Sequence, residues 1–410
     1  MDKLFRSDRL YSAVTLAMQQ FGVLDEWLQA TARAQPPRVV FSSLFPSQAE
    51  TLFVTPPRTL WPPPSGLVTA PSPVFLSKLR WDAAQFVPTS LLDELMGGRA
   101  MLGEQWAPDP ESGCLLRRDR PSVSPFRVVT RTRAAIDRLN QRAGHADSFA
   151  CVEFEPSSGL WCVVRFADDT AQGEWSTRVQ AALRLLADSG FGAGRSIGWG
   201  QTNEPEMREG TWPKLLFPRS ARTLSFPNGN GSAHSYWLLS LYSPAASEMT
   251  DWSSGNYELV TRGGHSRKTA RLVAEGSVIV ASREPAGTAV DIAPPEHSHP
   301  VYRAGFALAL RLPEIIQEDI QPVETPSDEE APEPKPCPAI ERREPAIEQP
   351  KEEPQPELTP EPETSRAEEP QIEIRPEPHG QAAEPHAEGA PETEPPAEEP
   401  QPPQEPTDEI

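Results

Sequence analysis

No stretch of these 410 residues approaches the roughly 20 consecutive apolar residues that cross a bilayer. The opening MDKLFRSDRL lacks the charged region and continuous apolar run of a secretory leader. These two absences lead us to expect a soluble, cytoplasmic chain. Cysteine is scarce as well. The four, Cys114, Cys151, Cys162 and Cys337, show no CxxC and no framework spacing, which excludes a disulfide-stapled scaffold and favours reduced, structural thiols. The seven histidines are scattered, with no HExxH among them, and there is no GxSxG. No metal, cofactor or catalytic residue is therefore assigned. His145, His234 or His265 could supply the acid or base of a metal-independent RNA-cleaving site, but each is expected at the surface, and His297 and His299 in an exposed loop.

Charge is unevenly placed. The chain holds 59 acidic and 38 basic residues. From Glu318 to Ile410 there are 28 acidic against 6 basic residues, with 23 prolines and no Phe, Tyr or Trp. Such a segment cannot bury enough apolar surface to offset its conformational entropy, so residues 318–410 are expected to form a disordered Pro/Glu-rich tail. Its simplest role is solubilising; the sharper alternative is that it competes with RNA for a basic surface. Residues 1–317 are left near neutrality, with 31 acidic and 32 basic residues.

Within them, Ser7-Asp8 reads as the cap of an amphipathic helix through Phe21, closed by Gly22. A second helix is expected over 25–34, strands over 38–45 and 51–55, an extended KLRWDAAQFVP, and a helix capped by Thr89. Residues 97–125 read as loop. Strands follow at 126–131, 148–155 and 160–166, the last two as a hairpin through PSSG that would place Cys151 near Val164 and not Cys162. Helix 176–188 leads into SGFGAGRSIGWGQ. Beyond a linker near 203–210 come the strand segments SYWLLSLYS, NYELVTR, RLVAEGSVIV and YRAGFALALRL. Helices interleaved with hairpins point to an α+β fold of two ferredoxin-like units.

Three clusters could bind an anion. Gly190, Gly192, Gly194, Gly198 and Gly200 fall within eleven positions with Arg195 and Ser196 between them. Glycine lets backbone N–H groups converge on phosphate oxygens, and Arg195 would add charge-assisted bonds. A dinucleotide or P-loop site would follow a strand and open a helix; here the helix comes first, which excludes both. A tight structural turn is the plain alternative. In RVVTRTRAAIDRLNQRAG, Arg127, Arg131, Arg133, Arg138 and Arg142 face a single Asp137, a stripe suited to a nucleic-acid backbone or simply a solvated face. Arg262, Gly263 and Gly264 form a third combination of glycine and cation.

In order along residues 7–312, SDRLYSAV, FSSLFP, TLFVTPP, KLRWDAAQFVP, RTRAAIDRLN, ALRLLADSGFGAGRSIGWGQ, NYELVTRGG and KTARLVAEGSVIV resemble the fourth Csm subunit, a RAMP-superfamily component of type III-A CRISPR complexes. The resemblance implies two packed ferredoxin-like (RRM-like, RAMP) domains, here residues 1–205 and 206–317. It implies a non-enzymatic subunit that holds the repeat-derived 5′ tag of the CRISPR RNA. Its implied partners are the large polymerase-like subunit and the backbone-forming third Csm subunit. RNA-binding residues carried by the resemblance are Arg131, Arg133, Arg138, Gly190, Gly192, Gly194, Arg195, Ser196, Gly198, Gly200, Arg262, Gly263 and Gly264, with Tyr242 as a further stacking candidate. A CRISPR RNA-processing ribonuclease of the same superfamily and a type III-B counterpart are the alternatives. The family begins with a β-strand before its SD-x-L-[FY]-SA helix. Only MDKLFR precedes that helix here, so either the first strand of domain one lies upstream, which is the expectation, or another segment fills its place.

Overall fold

The computed structural model describes residues 5–69, 81–119, 123–136, 139–140, 143–220, 233–263 and 268–313. The expected tail, Arg138 and Gly264 lie outside the described residues. What is described is a mixed α/β protein with four α-helices and several small, mostly antiparallel sheets.

Helix α1 (Ser7–Gln20) forms because Leu10, Tyr11, Val14, Ala17 and Met18 recur at helical spacing and are buried on one face. Its cap differs from expectation. Ser7 and Asp8 lie inside the helix, and the preceding Arg6 gives no side-chain cap. Tertiary partners claim both side chains: the Ser7 hydroxyl accepts from Leu241 N–H at 3.0 Å, and Asp8 receives two arginines. Helix α2 (Leu24–Ala30) stops short of Ala34, and Thr31, just past its end, bonds Tyr11 Oη through its hydroxyl at 2.8 Å. Helix α3 (Thr89–Met96) likewise contains Thr89 instead of being capped by it, and Asp93 accepts the backbone N–H groups of Arg219 and Ser220 at 3.0 and 2.8 Å. Helix α4 (Asp169–Ser189) starts two turns earlier than expected, because the Asp168 carboxylate accepts from Ala171 N–H at 2.7 Å.

The largest revision concerns the expected 148–155/160–166 hairpin. Strand Ala143–Phe154 instead pairs with Phe126–Ile136, so Cys151 sits opposite Val129. The chain does turn at Glu155–Ser158, but Ser158–Trp161 then pairs with Phe45–Gln48, and Val164–Phe166 with Val39–Phe41. The two halves of the expected strand 160–166 thus serve different sheets. In the same way RLVAEGSVIV breaks at Gly276 into Ala270–Val273 and Val278–Ala281, and YRAGFALALRL into Tyr302–Phe306 and Ala309–Arg311. Of KLRWDAAQFVP, the described residues begin at Trp81 with a helical turn, and only Val87–Pro88 are strand.

One four-stranded sheet runs Ser158–Trp161, Phe45–Gln48, Thr51–Val54, Val87–Pro88; another runs Thr250–Asn256, Val278–Ala281, His234–Leu238, Ala309–Arg311. Backbone bonds stitch the first half to the second: Ser43 N–H donates to Leu239 O, and Leu239 N–H to Leu308 O, both at 2.9 Å. Phe5 makes a single antiparallel bridge with Leu44. One apolar core accordingly contains Met18, Trp27, Phe45 and Trp175 together with Trp237, Phe306 and Leu308. No described helix is long and apolar enough to cross a membrane.

Candidate nucleic-acid interface

Strands Phe126–Ile136 and Ala143–Phe154 pair with each other and, among the described residues, with no third strand, making a ribbon whose described side chains are mostly exposed. Side chains alternate along a strand, and cross-strand partners share a face. Arg127, Arg131 and Arg133 therefore stand on one face with their partners Glu153, Phe149 and Asp147. Arg127 and Arg131 both reach Glu153, at 3.4 Å from Arg127 and 3.0 Å from Arg131 Nε. The hydrogen bond from Arg131 is the main reason the Glu153 carboxyl is held below its ordinary range, and the same bond raises Arg131. Both guanidiniums stay more than half exposed, at 55 % and 60 %. Arg133 lies over the Phe149 ring, 5.4 Å from its centroid, a cation–π arrangement.

The glycine run closes on itself at the end of α4. Phe191 N–H donates to Gly200 O at 3.0 Å, and Ile197 and Trp199 N–H both donate to Gly194 O at 3.1 Å. Arg195–Ile197 form a single 3₁₀ turn. Gly200 has φ +80°, and a Cβ there would lie 2.0 Å from Phe191 O; Gly190 has φ +88°, and its Cβ would meet Trp199 O at 2.5 Å. At these two positions only glycine permits the closure. Gly192 and Gly198 are exposed with open space beside them, and Arg195 and Ser196 are exposed on the rim. Gly194 packs under the Trp199 ring.

Trp199 joins the loop to the ribbon. Its ring meets Phe149 edge-on, with centroids 6.2 Å apart and planes at 89°. Arg133, Phe149 and Trp199 thus form a continuous cation–aromatic surface, with Arg195 and Ser196 on the same loop as Trp199. The third cluster is near but differently used. Phe191 packs on Phe5, with centroids 5.7 Å apart, and three residues later Asp8 holds Arg262, a backbone span of at most about 10 Å.

Asp8 is fully buried and accepts a fork from Arg262 at 3.0 and 3.1 Å and a third bond from Arg303 at 2.8 Å. The Arg262 guanidinium is committed to Asp8 and only 14 % exposed, so this side chain props its loop. Gly263, at φ +141°, backs against Lys268 O. Beside it, Glu275 is buried with Arg6 and Ser43 as partners; burial raises its carboxyl, and Arg6 opposes that.

Tyr242 is buried, its hydroxyl donating to Glu248 at 3.0 Å; it is a core residue and presents no face to a base. His234 is buried as well, its Nδ1 accepting from Arg311 at 2.8 Å, which fits a structural role. Among the described residues no group of three or more His, Cys, Asp or Glu could hold a metal ion. Sequence reasoning passed over Trp199 and Phe149. Trp199 sat inside the glycine run, an aromatic where a plain turn needs none; Phe149 required the strand register.

Residues 231–312 match the family model of the CRISPR Csm4 C-terminal domain. No curated protein matches the sequence. Among solved structures, a chain of the Csm3-Csm4 subcomplex in the type III-A CRISPR-Cas interference complex is similar over 75 % of this chain and 94 % of its own, at 13 % identity and a TM-score of 0.50. Chains of the Csm1-Csm4 cassette in complex with cA4 and with pppApA are similar over 75 % of this chain and 91 % of theirs, at 15 % and 16 % identity with TM-scores of 0.45 and 0.46. By sequence, the similarity to Csm4 is carried by residues 231–312; over the rest of the body it is a likeness of fold.

Proposed function

We propose that this Csm4-like chain is a non-catalytic subunit of a type III-A CRISPR effector complex that holds the repeat-derived 5′ tag of the CRISPR RNA. The observation that carries the reading is that Phe149 meets both Trp199 and Arg133. It brings together two segments separated by some fifty residues, each of which reads as an RNA contact on its own. Single-stranded RNA is held by backbone charge together with aromatic faces on which bases stack, and this surface offers both. Arg131, Arg133, Arg195 and Ser196, with the rim of Gly192 and Gly198, are the contacts; Gly190, Gly194 and Gly200 shape the loop, and Arg262 with Gly263 supports it. In this reading the body consists of two ferredoxin-like domains, residues 1–205 and 206–317. It stands between a large Csm1-type subunit and a Csm3-type backbone subunit, the partners named in the similar structures.

The test is binding of a synthetic RNA bearing the repeat-derived tag, against a scrambled RNA of equal length, across a salt series. Tag RNA should bind more tightly than the scramble, and log affinity should fall linearly with log salt. Trp199→Ala and Phe149→Ala should each weaken tag binding by about tenfold, a loss of ~1–3 kcal/mol per stacked base. Equal binding of tag and scramble would end the tag reading, and metal-independent cleavage of repeat RNA would reassign the chain as a processing enzyme.

A further inference from the structure

The run from Ser158 to Phe166 is paired along one edge and open along the other. It joins Phe45–Gln48 through Ser158–Trp161 and Val39–Phe41 through Val164–Phe166. The register changes between Trp161↔Phe45 and Val164↔Phe41, so residues 42–44 stand opposite only residues 162 and 163. The extra residue belongs to the partner, and Ser158–Phe166 itself continues without a bulge. Ala49 N–H donates to Ser157 O, Ser42 N–H to Val163 O and Ala167 N–H to Arg38 O. Successive residues of a strand aim their backbone groups at opposite edges. The odd-numbered residues therefore face this ladder, while Leu160, Cys162, Val164 and Phe166 aim N–H and C=O away from it. Among the described residues no strand, loop or side chain meets those outward groups.

This edge lacks the features that ordinarily keep one unpaired. Its residues span about 30 Å at ~3.3 Å each, longer than the common strand of about five or six residues. The segment SGLWCVVRF contains no proline and no lysine, and all of its residues are partly exposed. Its single charge, Arg165, is engaged by Glu284. A long, apolar edge of this kind is a template for another strand.

A second copy of the chain fits that edge. Antiparallel pairing of a strand with itself has two-fold symmetry, so each copy offers the donors and acceptors that the other lacks. The facing side chains are apolar on both copies, and with Arg165 tied to Glu284 no like charges are opposed across the pair. We infer that Ser158–Phe166 joins two copies of this chain edge to edge, in a sheet continuous through both molecules. A single strand pair falls short of the ~1,000 Å² of a stable interface, so the dimer is weak and forms as concentration rises. The pairing uses up the edge on both copies and closes at two. The inference is independent of RNA binding.

Sedimentation equilibrium and amide exchange test it on the full chain. From about 1 to about 200 μM the mass should rise from 45.1 kDa toward twice that value, with no larger species. Over the same range the amides of Leu160, Cys162, Val164 and Phe166, read residue by residue, should slow by about fivefold or more. Those of Trp161, Val163 and Arg165, which already face the inner ladder, should not change. Val164→Pro removes one outward N–H, spares the inner donors and should abolish the dimer. Should that variant not fold, Leu160→Lys places like charges at the edge and should weaken dimerisation by about tenfold. A monomer at every concentration overturns the inference: open amides mean an empty edge, amides protected throughout mean a segment of the same chain on it, and protection only on adding a Csm1- or Csm3-type subunit means a foreign strand. A dimer whose four outward amides stay unprotected, a dimer that Leu160→Lys leaves intact, or assembly beyond two overturns it as well.

Discussion

Replacing Asp8 by Asn tests how this fold holds its two halves together. The carboxylate is fully buried and takes three hydrogen bonds, two from Arg262 and one from Arg303, whose side chains are themselves only 14 % and 16 % exposed. An asparagine of the same shape retains one acceptor oxygen and faces two guanidiniums with an amide, leaving nearly buried charge without a counter-ion. Breaking a buried pair from one side costs about 3–5 kcal/mol. With an unfolding entropy of about 2.1 cal/mol/K per residue, a compact unit of 329 residues loses ~1.5 °C in Tm per kcal/mol. Asp8→Asn should therefore lower Tm by about 4–7 °C in a reversible melt, or shift the urea midpoint correspondingly. The double variant Asp8→Asn/Arg262→Gln should be less destabilised than the sum of the singles, because the second change removes a charge the first has orphaned; the coupling should lie between ~0.5 and 3 kcal/mol. A shift below 1 °C for Asp8→Asn, or strict additivity in the cycle, would refute the reasoning.

Gly200→Ala should destabilise the loop and reduce tag-RNA affinity, since its Cβ would lie 2.0 Å from Phe191 O, whereas Gly192→Ala, strained by its φ of +111° but meeting no atom within 4 Å, should lose less; paired titrations read the difference. Glu153→Gln should free Arg127 and Arg131, tighten non-specific RNA binding by about two- to fivefold and steepen the log–log salt slope by close to one; an unchanged slope would show that the carboxylate does not compete with phosphate. Because the Glu153 carboxyl is held below its ordinary value, its ion pairs are present above the unfolded-state pKa of ~4.3 and are lost as pH falls through the lower folded value, so melts between pH 5 and 8 should show no transition from this group. Desolvation pushes the Cys162 thiol up to about 12; against ~8.5 for a free cysteine its thiolate fraction at pH 8 is roughly a thousandfold lower, and alkylation followed by mass spectrometry should find it nearly inert until the protein is unfolded.

Periodicity carried the helices well and the strand partners poorly. The α1 stripe from Leu10 to Met18 and the α4 stripe through Val179, Ala182 and Leu186 are read directly from spacing, since one buried face fixes them. Strand pairing is a non-local property. Nothing in PSSG reveals that Ser158–Trp161 will join Phe45–Gln48 while Ala143–Phe154 joins Phe126–Ile136, and the β-rich run RLVAEGSVIV conceals a change of sheet at Gly276. The site shows the same division. The glycine run and arginine stripe stand out by composition, but Phe149 becomes part of the surface only once register places it beside Arg131 and Trp199 beside it. Asp8 was legible as a polar residue at a helix start, where local capping is the ordinary explanation. Its actual partners lie 254 and 295 residues away, beyond any local rule.

The segment Val39–Leu44 lies between strands that the ribosome makes much later. Its partner Val164–Phe166 follows by more than a hundred residues, and Leu239, which accepts from Ser43, by nearly two hundred. At ~5–20 residues per second of synthesis, those valines and the apolar side of α1 wait roughly ten to forty seconds for the surfaces that cover them. The nascent chain thus carries this uncovered apolar surface through the synthesis of nearly two hundred further residues, and its yield should depend on holdase chaperones far more than its finished stability would suggest.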